Sequence, residues 1–235
     1  MKKALSLLAV VAIVAAIFCF AGCGEKATTK LQMATNATFP PYEFKDGDNF
    51  AGIDVEVAQK IAEKLGMELV INDVEFGSII GGVQSGKFDM GMAGMTVTEE
   101  RKQSVNFTDS YATGIQSVIV KEDSPYTSFE EFYTGFDEEG NPTGVKEGIK
   151  IGVQQDTTGD IYASDTAAKW GFEEANVVRY KDGPSAVQAL LTGKVTAVII
   201  DNEPAKSFVA ANEGLKILDG AYTNEDYAIC VAKEN

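Results

Sequence analysis

Short β-type runs alternate with helical ones twice along this chain, and that alternation limits it to folds built from parallel sheets with crossover helices. The first series reads as strand 31–35, helix 55–65 closed by Gly66, strand 68–71, helix 79–84 and strand 88–92. The second reads as strand 149–153, helix 160–170, strand 177–180, helix 184–191 and strand 195–200. Pro184 and Pro204 suit first helical positions, where a missing N–H costs nothing, and Ser128 with Glu131 has the spacing of a capping box. The expected fold is therefore α/β in two lobes, each a mostly parallel sheet flanked by helices.

A weak internal repeat relates the two series. Gln84-Ser85-Gly86-Lys87 closes one helix and Leu191-Thr192-Gly193-Lys194 another, each leading into an apolar strand, and eight residues beyond each glycine stand Gly94 and Asp201. Both positions fall just past the carboxyl end of a strand, where open α/β sheets bind ligands, so both lobes point at one cleft. The β-branched run 115–121 and the apolar run 227–232 read as paired crossover strands forming a hinge. One lobe is then expected at residues 29–112 plus 228–235 and the other at 116–224. Residues 137–148, with Gly140, Asn141-Pro142 and Gly144, read as an exposed loop of the second lobe.

The segment ahead of the fold has the layout of an export signal: Lys2 and Lys3, then apolar residues 4–21 broken only by Ser6. An uncleaved membrane anchor is the alternative, since the stretch is long enough to span a bilayer. Phe20-Ala21-Gly22-Cys23 resembles a bacterial lipoprotein signal, although Phe20 stands where leucine is usual. That resemblance implies removal of residues 1–22, lipidation of Cys23, a polar tether over 23–30, and a lipid-anchored protein on the outer face of the cytoplasmic membrane. Loss of residues 1–22 takes away two lysines and no acids, leaving 18 basic against 35 acidic groups and a net charge of −17.

So acidic a surface is a poor match for nucleic acid, whose phosphates need cations. Histidine is absent altogether, which excludes His-dependent nucleophiles, histidine proton shuttles and His-ligated zinc. No metal and no cofactor is expected. Of the three cysteines, Cys19 lies in the leader and Cys23 would carry lipid, so Cys230 stands in the folded part as a buried small hydrophobe without a disulfide partner.

Gly94-Met95-Thr96-Val97-Thr98-Glu99-Glu100-Arg101, followed by Val105-Asn106-Phe107-Thr108-Asp109-Ser110-Tyr111, resembles the signature of the polar amino-acid solute-binding proteins of ABC importers (extracellular solute-binding protein family 3). The similarity continues through residues 34–44, Gly52-Ile53-Asp54, 153–160 and Ile200-Asp201, and so covers essentially the whole mature chain. It implies a periplasmic-binding-protein-like fold whose two lobes, joined by two crossover strands, close over one free amino acid and then dock on a membrane permease.

The chemistry of the residues agrees. A free amino acid needs a fixed cation for its carboxylate and an anion for its ammonium, both in a dry cleft where water and salt do not screen them. Arginine suits the first task because its planar fork grips a carboxylate bidentately. The chain has 18 lysines but only two arginines, Arg101 and Arg179. Arg101 follows Thr98, a candidate helix cap, by three residues and so falls in a first helical turn; Arg179, in a short strand, reads as a solvated surface charge.

Taken singly, Arg101 reads as an exposed helix charge and Asp201 as a cap for the helix at Glu203; the joint motif is what points to a site. By the resemblance, Arg101 holds the ligand carboxylate, helped by the Thr96 hydroxyl and by backbone donors around Gly94 and Thr158, with Thr157-Thr158-Gly159 opening a helix beside it. Asp201 takes the ammonium. Phe39 and Phe76, and less clearly Tyr42, align with aromatic positions that clamp the side chain. Asn36 stands where relatives that prefer cationic side chains often carry an acid, Gln154 offers an amide from the second lobe, and Asp156 replaces a common glycine and would oppose an acidic ligand. This set favours a neutral polar amino acid and leaves arginine open.

Two readings from other classes compete. Some dehydratases resemble these binding proteins and keep the arginine; an enzyme of that kind needs a general acid in the cleft, and Asp156 and Glu43 are the local candidates. A ligand-sensing module for a receptor is the other. Family members usually continue through further helices packed on the first lobe, whereas this sequence stops at Asn235, just after the return strand. A lobe ending there is expected to leave apolar surface uncovered, the alternative being a chain that runs on.

Overall fold

The computed structural model describes residues 29–220 and 222–233, so the export signal and Cys23 lie outside the described residues. The chain enters through β1 (Lys30–Thr35) and turns through a small antiparallel sheet of β2 (Thr38–Phe39), β3 (Glu43–Asp46) and β4 (Asn49–Ala51). It continues through helix α1 (Ile53–Leu65), β5 (Glu68–Asp73), helix α2 (Ser78–Gln84), β6 (Met90–Gly91) and β7 (Asn106–Phe107). The long strand β8 (Ala112–Lys121) opens the second half. There follow β9 (Ile151–Gln154), α3 (Thr158–Ser164), β10 (Val177–Tyr180), α4 (Gly183–Leu191), β11 (Ala197–Asp201), α5 (Asn202–Ala211), β12 (Leu215–Ile217), β13 (Thr223–Tyr227) and β14 (Cys230–Val231).

Two main sheets result. The first has the order β5-β1-β6-β14-β7 and the second β10-β9-β11-β8-β12, with β13 also on β8. Within each, the strands joined by helices run parallel, while β8, β12, β13 and β14 add antiparallel edges and returns. Val118 and Val120 of β8 pack with Phe132, Ile151 and Phe172, and Ile119 with Leu190, Val198 and Phe208 on the opposite face. A strand covered on both faces requires the continuous apolar run seen in the sequence. The two sheets meet where β7 leads into β8 and where β13 leads into β14, and β8 pairs antiparallel with β13 through Thr113↔Asp226 and its neighbours.

Three local expectations are corrected. The helix expected over 160–170 stops at Ser164; Asp165 and Thr166 are extended, and a 3-10 turn follows at Ala167–Lys169. Asp165 Oδ1 accepts the Thr166 N–H at 2.8 Å, the local side-chain-to-backbone competition that ends helices at aspartate. The capping box at Ser128 does not form: its side chain makes no cap bond, Thr127 Oγ1 donates to Glu131 at 2.6 Å instead, and residues Phe129–Phe132 make only a 3-10 turn. Arg179 is not a free surface charge but is held by Asp160 at 2.9 Å and Glu174 at 2.6 Å. Among the described residues, no helix is long and apolar enough to cross a membrane.

Candidate functional site

The carboxyl ends of both sheets face each other across one small cleft cavity of about 20 Å³. Asn36, Phe39, Phe76, Gly94, Thr96, Arg101, Gln154, Thr157, Thr158 and Asp201 all line it, together with Glu43, Ala93 and Ile200. Ten of the residues singled out from sequence are thus brought to one place, and Tyr42 is not among them.

Arg101 sits in a 3-10 turn, Arg101–Gln103, whose start is fixed by its own N–H donating to Thr98 Oγ1 at 3.1 Å. The side chain is 7% exposed and its guanidinium lies over the Phe76 ring, 5.2 Å from the centroid. One N–H donates to the Thr96 carbonyl at 2.8 Å and another to the Asp156 carbonyl at 3.1 Å. Both partners are neutral, and Arg101 makes no ion pair among the described residues. Burial lowers the guanidinium pKa, and the nearby Glu225 charge opposes that. A buried cation with spare donors, facing a cavity, has the geometry to grip a carboxylate.

Asp201 stands opposite in charge. Although it precedes α5, its carboxylate makes no cap bond to that helix. Its Oδ1 instead accepts a short bond from the Tyr227 hydroxyl. That reach depends on Gly114, where an added Cβ would lie 2.5 Å from the Tyr227 ring. Burial, then the Glu225 charge, raise the Asp201 pKa to about 7, against the Tyr227 bond, which lowers it.

Around these two charges the remaining residues depart from expectation in instructive ways. Thr96 Oγ1 donates to Glu225 Oε2 at 3.0 Å. A hydroxyl has one proton, so Thr96 presents an acceptor to the cavity and not the carboxylate donor expected of it. Gly94, at φ 52 with the Phe39 ring 2.8 Å from where a Cβ would sit, lets that ring close over it. Its N–H, however, is spent on Asp54 Oδ2 at 2.9 Å and is not a free donor. Thr157 caps α3 by accepting from the Asp160 N–H and donates to the Gln154 carbonyl at 2.8 Å. Gln154 Nε2 donates across the cleft to Asn36 Oδ1 at 2.9 Å. Tyr42 lies behind the cavity wall, stacked on Phe39 and edge-on to Tyr227. Asp156 lines a separate groove on the outer side of Arg101.

Glu43, raised from sequence only as a candidate general acid for the enzyme reading, lines the cavity as a residue not expected to contact the ligand. It is 1% exposed, and its Oε2 has no hydrogen-bond partner among the described residues. Burial, and then the Asp54 carboxylate beside it, hold its pKa well above the usual carboxylate range. The only sequence signal was its setting, two residues past Pro41 in the aromatic stretch that also carries Phe39 and Tyr42.

A two-lobed α/β fold with a closed interlobe cavity carrying one buried cation and buried acids defines a protein that captures a small charged solute. Residues 31–214 match the bacterial extracellular solute-binding proteins, family 3, and the chain belongs to that family. It is 32% identical over 222 residues, 92% of this chain and 79% of the relative, to the arginine-binding extracellular protein ArtP of Bacillus subtilis. Among solved structures, the arginine-bound truncated ArgBP of T. maritima matches with a TM-score of 0.76 and 36% identity, over 87% of this chain and 89% of the other. The arginine-, lysine-, histidine-binding protein ArtJ of Geobacillus stearothermophilus matches with a TM-score of 0.74 and 27% identity, over 88% and 82%.

Proposed function

We propose that the cleft captures free L-arginine, with the protein serving as the substrate-binding component of an amino-acid ABC importer. Arg101 holds the ligand carboxylate, Asp201 and Thr96 take the ammonium, and Phe39 and Phe76 clamp the side chain. The reading is binding without chemistry: closure of the lobes buries the ligand, and its affinity is the free energy that favours the closed form.

The observation that carries the choice of cargo is Glu43. With Arg101 and Asp201 it gives the cavity wall two acids against one base. A neutral zwitterion pairs Arg101 and Asp201 and leaves Glu43 over, whereas a third, cationic group pairs all three. A guanidinium also offers donors to the unpartnered Oε2 and favours the ionised carboxylate against burial. The lean toward a neutral side chain, based on Asn36, therefore gives way. The arginine named for ArtP and for the T. maritima protein supports this reading. An ancestral arginine-binding protein, 35% identical to this chain, is described bound to arginine and also to glutamine, which makes glutamine the neutral competitor to beat.

A thermal-shift screen against the twenty amino acids tests the cargo. Ligand at 100 times its dissociation constant adds about 2.7 kcal/mol of stability, and arginine is expected to give the largest shift. Glu43→Gln is expected to lower arginine affinity by about 1.5–3 kcal/mol, the range for hydrogen bonds to charged groups, while leaving glutamine affinity little changed. A larger wild-type shift with glutamine than with arginine overturns the cargo assignment.

Anchorage by lipid at Cys23, on the outer face of the cytoplasmic membrane, completes the proposal and rests on the sequence around the leader. In a producing bacterium, Cys23→Ala is expected to move the exported protein from the membrane fraction to the soluble one. Retention of that variant in washed membranes would count against the lipid anchor.

A further inference from the structure

One hinge strand reaches under both acceptors of the proposed ammonium site. Glu225 and Tyr227 of β13 are two residues apart and so lie on the same face of the strand, both buried. The Tyr227 hydroxyl donates to Asp201, and Glu225 Oε2 accepts from Thr96 Oγ1 at 3.0 Å and from Gln116 Nε2 at 3.0 Å. The backbone around Thr96 is stitched to the same strand: the Val97 N–H donates to the Asp226 carbonyl at 2.9 Å, and the Ala228 N–H to the Met95 carbonyl at 3.1 Å. Thr96 Oγ1 also lies 3.4 Å from Thr158 Oγ1 across the cleft.

We infer that Glu225 is a positioning residue for amino-acid capture: by taking the Thr96 hydroxyl proton it fixes Thr96 Oγ1 as an acceptor for the ligand ammonium and ties that acceptor to the hinge strand. Glu225 makes no contact with the cavity itself, so it acts through Thr96. With Glu225 replaced by leucine, which accepts nothing, the Thr96 hydroxyl is free to turn its proton toward the cleft and meet the ammonium with the wrong polarity, whereas an amide keeps an acceptor oxygen where Glu225 Oε2 stands. The inference rests on capture of an α-amino acid and not on which side chain it carries.

The test compares L-arginine with 5-guanidinopentanoic acid, the same molecule without its amino group, by titration calorimetry on the purified exported domain. Glu225→Leu is expected to weaken arginine binding about tenfold or more while changing the affinity for 5-guanidinopentanoic acid less than twofold. In the double variant with Thr96→Val, Glu225→Leu is expected to add no further loss. Equal losses for the two ligands, or no loss for arginine, overturn the inference. If Glu225→Leu does not fold, judged by its ligand-free melting transition, Glu225→Asp is measured in the same way, with the same selective loss expected from a carboxylate that no longer reaches. A wild-type protein that fails to bind arginine refutes the cargo and leaves this proposal to be judged on glutamine and its des-amino analogue, 5-amino-5-oxopentanoic acid.

Discussion

Arg101→Ala is expected to abolish micromolar binding of the amino acid, a loss on the order of 3–5 kcal/mol, because it leaves one member of a buried charge pair without its partner. The expectation follows from how Arg101 is held. Burial has already removed most of its water, and the donors it uses within the protein go to two neutral carbonyls. Of five N–H groups those two are committed, so the rest of the fork remains for an incoming carboxylate. Phe76 fixes the plane of the guanidinium from one side. Alanine removes the cation and strands the Thr96 and Asp156 carbonyls. Arg101→Lys restores charge without the fork and is expected to recover only part of the loss. Calorimetry on both variants checks this, and near-normal affinity in Arg101→Ala would sink the assignment of the carboxylate site. The Asp156 carbonyl belongs to the second sheet's side of the cleft, so the alanine variant is also expected to sample more open conformations without ligand, visible as a larger radius of gyration in solution scattering.

The alternation of strands and helices was legible because it is local: period, glycine stops and proline starts are written within a few residues of one another. The helix at 160–170 failed where a local signal of another kind, the Asp165 side chain bonding its neighbour's N–H, overrode an apolar pattern that runs on to Trp170. Within the site, residue positions were more legible than hydrogen-bond polarity. Gly94 was found, but not that its N–H belongs to Asp54, 40 residues earlier. Thr96 was found, but not that its proton goes to Glu225, 129 residues later. Glu43 shows the same limit. In sequence it is a charge among turn residues, and only the antiparallel pairing of β2 with β3, Phe39 opposite Glu43, folds it in beside the aromatic wall. Arg179 looked solvated because its partners come from α3 and from the turn before β10. Identity of residue types carries motif information; the commitment of each proton is set by contacts between distant segments.

The affinity for the amino acid is expected to fall as the solution is acidified below about pH 7, by up to about tenfold per pH unit over the first one or two units, since only the ionised Asp201 pairs with an ammonium. Burial and the Glu225 charge raise this carboxyl to about 7, so at neutral pH the empty cleft holds Asp201 poised between its two states. An incoming ammonium favours the ionised form and lowers the pKa, which means that binding below pH 7 releases a proton and weakens as protons become abundant. The stability of the empty protein runs the other way. A carboxyl whose folded pKa lies above its unfolded value binds more protons folded than unfolded, so its contribution to stability is largest at low pH and is lost as pH rises from about 4 to about 7. Glu43 and Asp54, also raised, add to that slope. Asp201→Asn separates the two effects. It removes the anion and is expected to cost 2–5 kcal/mol of binding, the range for truncating one partner of a buried charge pair. With arginine the ionisation of Glu43 keeps a share of the pH dependence, so the profile is read with glutamine, whose remaining affinity should lose most of its pH dependence, and the melting temperature of the ligand-free variant should decline less than wild type between pH 4 and pH 7. An unchanged pH profile of binding in Asp201→Asn would remove Asp201 from the ammonium site. If the profile flattens, the strain of keeping a carboxylate dry in the empty cleft is relieved when the ammonium arrives, and part of the free energy that closes the lobes comes from that relief.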